Sequence, residues 1–492
     1  MEYFLGIDIG TSSVKTILTD RTGKIYSCAQ RGYSLIKERD EYAEQDMEEI
    51  WNATKETVSA VLVSVPGAAA WIRGIGFSGQ QHGLVMVDAQ GKPLRNAIIW
   101  SDQRTAGEIQ DIYRLIPKET YRGVTLNSLS TGFLAVSLLW VKKQEPTVFE
   151  KIHKIMLPKD YIRYKICGEI GTEDSDASST GLFDTVGRNW AWSFIDRIGL
   201  PEKIFPYCGK SYEIAGKVSA AGEADTGLQR GTPVVFGAGD TPMQALGNGM
   251  IRPGTLAANV GTACQVSSVL DQPLYDSLYR TNTFCHATPD QWIIMGANLS
   301  GGIALKWLKT QVLNMESYEE MTKAGMESGV GSNGLIFLPY LNGERTPYND
   351  PDAKAVFFGL TLRHSRNDMI RAVMEGIVLG MQNSICIFND IGIQIDRVIA
   401  SGGVARSRLF LQILADVFGK EIYLNSIQEQ ACMGAAISAA TGTGAFNSVD
   451  EACLSMVYLH DTPVSPNMEN NKIYQEILQK YRMLYNRNHD LF

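Results

Sequence analysis

Residues 3–19 read YFLGIDIGTSSVKTILT: an apolar run, a Gly10-Thr11-Ser12 turn and a second apolar run. Bulky and β-branched residues on both sides of a short glycine turn predict a β-hairpin. The same grammar recurs half a chain length later, where 255–260 predicts a strand, Gly261-Thr262-Ala263 a turn and 264–270 a second strand. The chain therefore reads as two structurally similar halves, each opening with a strand, a Gly-Thr turn and a strand.

Outward from these hairpins the pattern mixes strands with helices. Residues 71–77, 84–88 and 233–236 predict strands, and 47–63 predicts a helix that carries Ile50, Trp51, Thr54, Val58 and Val61 along one side. The second half adds a long helix from 368 to about 388, a strand at 397–400, and a helix opening near Ala405 with Phe410, Ile413, Leu414, Val417 and Phe418 on one face. The class is α/β. At roughly 100–200 residues per domain, 492 residues exceed one simple core, and the expected division gives domains 1–246 and 247–492.

The net charge of −8 and the absence of any basic run argue against a nucleic-acid or anionic-membrane partner, so a phosphate would have to be bound locally. Eight scattered cysteines without a CxxC pair read as reduced thiols. The opening residues carry no basic leader and no 18 apolar residues follow one another; a cytoplasmic location is the expectation.

Several motifs fail on context. Residues 74–79 and 329–334 both spell GxGxxG, but neither follows a strand and opens a helix, as a dinucleotide fold requires. No GxxxxGK[ST], HExxH or GxSxG is present, and the protein-kinase motifs are missing. Asp8 sits between Ile7 and Ile9 inside an apolar strand. Either it faces water from an edge strand or caps the turn, or it faces a cleft and holds Mg²⁺ through water beside phosphates gripped by the turn's N–H groups. Asp240 ends the run VVFGAGD, and is either a turn aspartate or a base for an attacking hydroxyl. The clusters SGQQHG (78–83) and WSDQR (100–104) supply amides, an imidazole, an indole, a carboxylate and a guanidinium, groups that suit a polyhydroxyl ligand and equally a solvated loop. Gly402-Gly403 before a helix offers N–H groups to an anion or a nucleotide edge, or is a plain strand-to-helix turn.

Taken in order, GIDIGTSSVK (6–15), SGQQHG (78–83), WSDQR (100–104), LPKDYIR (157–163), GAGDT (237–241), FLPYLNGERTPYNDP (337–351) and SGGVARS (401–407) resemble the landmarks of the FGGY carbohydrate kinases. The resemblance implies two ribonuclease-H-like domains of the actin-like ATPase fold with a ligand cleft between them. It implies Asp240 as catalytic base, Asp8 positioning Mg²⁺, and Thr11, Ser12 and Ser13 with Gly261 and Thr262 clasping the ATP phosphates from opposite walls. Gly402, Gly403 and Ser407 would border the adenosine. Gln81 and His82 would bind the sugar, with Trp100, Asp102 and Arg104 nearby. The implied reaction is phosphorylation of a ketopentose, D-xylulose, at O5 by ATP, with domain closure excluding water. Another sugar or polyol, or a non-catalytic actin-like ATPase, are the alternatives. A homodimer is compatible with the sequence, which leaves the oligomeric state open. Three positions depart from the family pattern as it applies here: Ser137 before Leu138-Leu139-Trp140, Gln81 and Thr241.

Overall fold

The computed structural model describes residues 2–492. Both expected hairpins form: β1 (Tyr3–Ile9) pairs antiparallel with β2 (Ser13–Asp20), which pairs with β3 (Ile25–Gly32). β4 (Ile72–Gly79) runs parallel to β1 on its other side, and β5 (Ile214–Lys217), β6 (Pro233–Val235) and β7 (Ala238–Gly239) complete the first sheet in the order β5-β6-β4-β1-β2-β3, with β7 on β4. The second sheet contains β8 (Gly254–Val260), β9 (Cys264–Leu270), β10 (Asn282–Cys285), β11 (Trp292–Asn298), β12 (Ile395–Gly402) and β13 (Ile422–Leu424), in the order β10-β11-β9-β8-β12-β13.

The two sheets repeat one design. In each, a central strand pairs antiparallel with the next strand and parallel with a later one, so Asp8 opposes Lys15 and Ser78 in the first sheet as Asn259 opposes Gln265 and Ser401 in the second. β1 lies between β2 and β4. The edge-strand reading of Asp8 therefore falls, because a central strand has no solvent-facing edge.

The helices show why these strands are apolar on both faces. α1 (Met47–Ser64), capped by Asp46, packs Ile50, Trp51 and Val58 against Tyr3, Leu5, Ile7 and Ile9. α2 (Asp240–Gly247) and the turn after it cover the second sheet, where Ala245 and Met250 join Ala257, Val269, Phe284, Ile293 and Ile399. α3 (Arg366–Asp390) opens with a Ser365/Asp368 capping box and covers that sheet's other face. It is long and apolar enough to span a membrane, yet 94% of its most apolar stretch is buried inside the protein. α4 (Arg408–Phe418) begins later than expected: residues 403–406 form a 3₁₀ turn, and Ser407 caps the helix.

α5 (Gln430–Gly442) crosses back to the first sheet and lies against the Phe4 and Gly6 side of β1. Glycines permit that approach: a Cβ at Gly6 would stand 2.0 Å from the Cys432 carbonyl oxygen, and one at Gly76 1.9 Å from that of Ala435. This is the physical content of the 74–79 glycine pattern. Its glycines serve packing inside β4. Alternation along β1 puts Asp8 on the same face as Phe4 and Gly6, at the end of the strand that leads into the Gly10-Thr11-Ser12 turn.

Candidate active site

The two Gly-Thr turns share a hydrogen-bond pattern. In the first, the Gly10 carbonyl accepts from the Tyr33 hydroxyl, Thr11 O from Gln45 Nε2 at 2.6 Å and Ser12 O from Tyr33 N at 3.2 Å. In the second, Gly261 O accepts from Gly302 N at 2.8 Å, and Thr262 O from Gly301 N and Ile303 N at 3.0 and 3.1 Å. The carbonyls are turned inward and occupied. The N–H groups of Thr11, Ser12, Thr262 and Ala263 have no partner among the described residues, which makes each turn a concavity for an anion.

Asp240 is the first residue of α2, directly after β7. Its Oδ1 accepts from Thr241 N at 2.7 Å and Thr241 Oγ1 at 3.3 Å, and Thr241 Oγ1 in turn accepts from Gln265 Nε2 at 3.0 Å. Gln265 lies on β9, one residue beyond the start of that strand, so the second hairpin is tied to the aspartate. The first hairpin is felt electrostatically: burial, and then the negative charge of Asp8, push Asp240 up to about 7. Asp8 is itself raised by burial, with the Ser78 hydroxyl (2.7 Å from Oδ1) and Lys15 offsetting part of the effect. The charge of Asp8 thus disfavours ionisation of Asp240, while burial holds both carboxyls above their ordinary range.

Beside Asp240 sits Gln81, only 6% exposed; a Cβ at Gly239 would come within 2.6 Å of its Cγ. Its Nε2 is buried without a hydrogen-bond partner. His82 adopts a left-handed φ of 72°, which turns its ring onto Phe133 at 4.3 Å between centroids. Its Nδ1 is 2.6 Å from the Ser179 carbonyl, so Nδ1 carries the proton and Nε2 is left as an acceptor. Burial lowers its pKa to about 4, with Arg345 adding to the effect, and the imidazole is neutral at pH 7.

These residues rest on a buried ionic cluster from the LPKDYIR segment. Lys159 Nζ lies 2.8 Å from Asp160, 3.3 Å from Glu173 and 3.2 Å from Asp176, all without exposure. Burial alone would lower the lysine's pKa; the three carboxylates outweigh it and raise the value instead. The helical turn that begins at Asp174 also presents Ser175 Oγ to the Gly239 N–H at 3.2 Å, fixing the backbone just ahead of Asp240.

The FGGY family model of carbohydrate kinases matches this chain twice, its N-terminal domain over residues 3–247 and its C-terminal domain over 256–443. The chain belongs to the FGGY carbohydrate kinases. It is 36% identical to a xylulose kinase of Staphylococcus epidermidis over 98% of this chain and 96% of that one, and 30% identical to a gluconokinase of Bacillus subtilis over 94% and 92%. A crystal structure of xylulose kinase from Rhodospirillum rubrum superposes with a TM-score of 0.92 at 26% identity, covering 100% of this chain and 99% of that one. An FGGY kinase takes ATP as co-substrate.

Within this kinase the other expected site residues are placed differently from one another. Trp100, 43% exposed, donates its indole N–H to Thr11 Oγ1 at 2.9 Å and so stands beside the first turn. Asp102 and Arg104 face inward. Asp102 is fully buried and accepts from Ala43 N, Arg104 N and the Arg104 guanidinium, while Arg104 also reaches Glu44 at 2.7 Å and stacks over Tyr42 at 3.5 Å. The three partners outside the pair, Tyr42, Ala43 and Glu44, are consecutive, and the pair ties that segment to the one that carries Trp100. Ser13 Oγ accepts from Gln30 Nε2 at 2.9 Å. Gly402, at φ 87°, lies against Val260 O, and Gly403 is open and exposed. Ser407 Oγ caps α4 by accepting from Phe410 N at 3.3 Å, so the N–H groups expected at Gly402-Gly403 are not those of the helix terminus. Gln265, Ser179 and Phe133 are site neighbours that the sequence reading did not single out, whereas Ser78 belongs to the 78–83 cluster. Alternation along 264–270 is the signal that could have marked Gln265; nothing local marks Ser179 or Phe133.

Proposed function

We propose that this FGGY kinase transfers the γ-phosphoryl group of ATP to O5 of D-xylulose, with residues 1–246 holding the sugar and 247–492 the nucleotide. Asp240 accepts the proton of the attacking hydroxyl as the oxygen approaches phosphorus in line. The N–H groups of Thr11 and Ser12 on one wall and of Thr262 on the other hold the phosphate oxygens, Ser13 and Gly261 shape those turns, and Gly402, Gly403 and Ser407 border the adenosine. Gln81 donates its free amide to a sugar hydroxyl and neutral His82 accepts from another, with Trp100 flanking them and Asp102 and Arg104 holding that loop. Asp8, with Asp240 facing it, would hold Mg²⁺ through water; bound there the ion neutralises phosphate charge. A cytoplasmic location belongs to the same proposal, supported by the free state of the eight cysteines.

The observation that carries this reading is the position of Asp240: one carboxylate, held near neutrality, tied to the second hairpin through Thr241 and Gln265 and to the first through the field of Asp8. The xylulose kinase relatives favour the ketopentose, and the gluconokinase relative makes gluconate the acceptor to test beside it. A panel of ketoses, polyols and aldonates in an assay coupled to ADP release decides the substrate; a clear preference for an acceptor other than D-xylulose overturns that assignment. Asp240→Asn should keep ATP binding and lose about 10²–10⁴-fold in sugar-dependent turnover. Near-normal turnover would remove it as the base.

A further inference from the structure

The GERTP segment carries a charge that the proposed mechanism leaves unused. Arg345 Nη2 donates to Asn282 Oδ1 at 3.2 Å, and no carboxylate among the described residues pairs with the guanidinium. Its neighbour Glu344 is turned away, accepting from Leu299 N at 2.9 Å, from the Arg345 backbone N–H at 2.8 Å and from Asn298 Nδ2 at 3.3 Å. Burial alone lowers the arginine's pKa, with no ion pair to offset it. The side chain is partly exposed, and with one neutral partner most of the guanidinium's five donors are left for water or a ligand.

Its place in the fold says where those acceptors belong. Asn282 and Phe284 are two residues apart on β10 and share one face of the strand, about 7 Å from each other. Asn282 anchors Arg345, and the ring of Phe284 meets that of His82 edge-on at 5.8 Å. One strand of the second sheet thus sets the guanidinium next to the sugar-side histidine of the first half. β10 is also where the two halves touch directly: Asn127 Nδ2 donates to Thr283 O at 2.8 Å and Thr283 N to Asn127 Oδ1 at 3.0 Å. The neighbours of Arg345 in sequence, Glu344 and Thr346, bond to Asn298, Leu299 and Ala297 at the end of β11, where Asn298 opposes Cys264 and Ala297 opposes Gln265.

We propose that Arg345 contacts the acceptor, donating to a planar oxygen group there. The ketone of a ketopentose and the carboxylate of an aldonate both present such a group to the flat guanidinium fork; an alditol does not. This rests on the sugar site proposed above.

The test measures kcat/KM for D-xylulose, xylitol and D-gluconate, together with KM for ATP, in the wild type, Arg345→Met, Arg345→Lys and Asn282→Ala. In Arg345→Met the better of the two planar-group acceptors should lose about 30-fold while xylitol changes less than about threefold, collapsing the discrimination against the alditol. A wild-type preference for D-xylulose identifies the ketone as the group read, and a preference for D-gluconate the carboxylate. Arg345→Lys should recover part of the ratio. Asn282→Ala, which frees the anchor and leaves the guanidinium, should move it the same way by a smaller factor, and decides the matter if Arg345→Met is insoluble. Equal losses for xylitol and the planar acceptors, or a rise in KM for ATP with the sugar parameters unmoved, would overturn the role of Arg345 and leave the kinase reading intact. A wild type that phosphorylates none of the three would take down the sugar site and Arg345 together.

Discussion

Lys15 Nζ and Glu429 Oε2 are 2.6 Å apart, although one residue follows the first turn and the other precedes α5 near the far end of the chain. The pair ties β2 to the helix that crosses back from the second half, and it borders Asp8, whose ionisation Lys15 favours and Glu429 opposes. Both side chains keep part of their exposure, so the pair is a modest contributor. Glu429→Gln should cost below about 1 kcal/mol in urea denaturation. A loss several times larger would mean that α5 docks mainly through this contact and that the glycine-lined interface contributes little.

Asp240 gives opposite pH signs for activity and stability. As a base it must be ionised, so kcat/KM for the sugar should rise with pH along a limb centred at or below about 7, the lower value applying when a cation screens Asp8. In the unfolded chain the carboxyl ionises near 3.8, so between that pH and about 7 the folded protein holds the extra proton and loses stability as pH rises. Asp240→Asn removes this slope. Melting curves in metal-free buffer should show the variant gaining in Tm over the wild type at pH 8 and scarcely at pH 4; an equal gain at both would mean that the carboxyl is not held above its ordinary range.

Gln81→Met separates a binding role from a packing role. The amide nitrogen is buried and unpaired, which costs about 1–3 kcal/mol, so methionine should raise the Tm of the unliganded protein. The same change should weaken D-xylulose binding in calorimetry if that nitrogen donates to the sugar. Unchanged affinity with raised Tm would leave Gln81 without a place in the sugar site.

Gly402 and Gly403 form a built-in control for the nucleotide. A Cβ at Gly402 would meet Val260 O at 2.4 Å from a left-handed φ of 87°, so Gly402→Ala should both destabilise the protein and raise KM for ATP. At Gly403 nothing stands within 4 Å, and alanine fits the unliganded protein. Gly403→Ala should keep its Tm and still raise KM for ATP severalfold, because only a bound adenosine would meet the new methyl group. Unaltered KM for ATP would move the adenosine elsewhere.

The repeated strand, turn and strand and the helices α1, α3 and α4 were legible in the amino-acid order, because period-two and period-3.6 patterns and glycine turns are local properties of the backbone; α2 and α5 were not predicted. Boundaries were close where a cap or glycine marked them, and were missed at 403–407, where a 3₁₀ turn intervenes before the capping serine. Within the polar clusters the residue types were right for a site, but type alone does not tell a side chain that faces a cleft from one spent on its neighbours. Asp102 is spent on Arg104 and the Ala43 backbone, and Arg104 on Asp102 and Glu44 through Nε and Nη2, while Arg104 Nη1 and Gln81 Nε2 both stay buried without a partner.

What the sequence determined by itself is the fold class, the duplicated hairpin and the family chemistry, since these depend on short motifs that each carry their own geometry. Tertiary structure alone decided that α5 returns to the first sheet, that Asp8 sits on a central strand, and that Arg345 is held by Asn282 with no carboxylate partner among the described residues. Each of those outcomes joins residues far apart along the chain, and a local pattern can specify that a surface must be covered or a charge compensated without specifying which distant segment will do it.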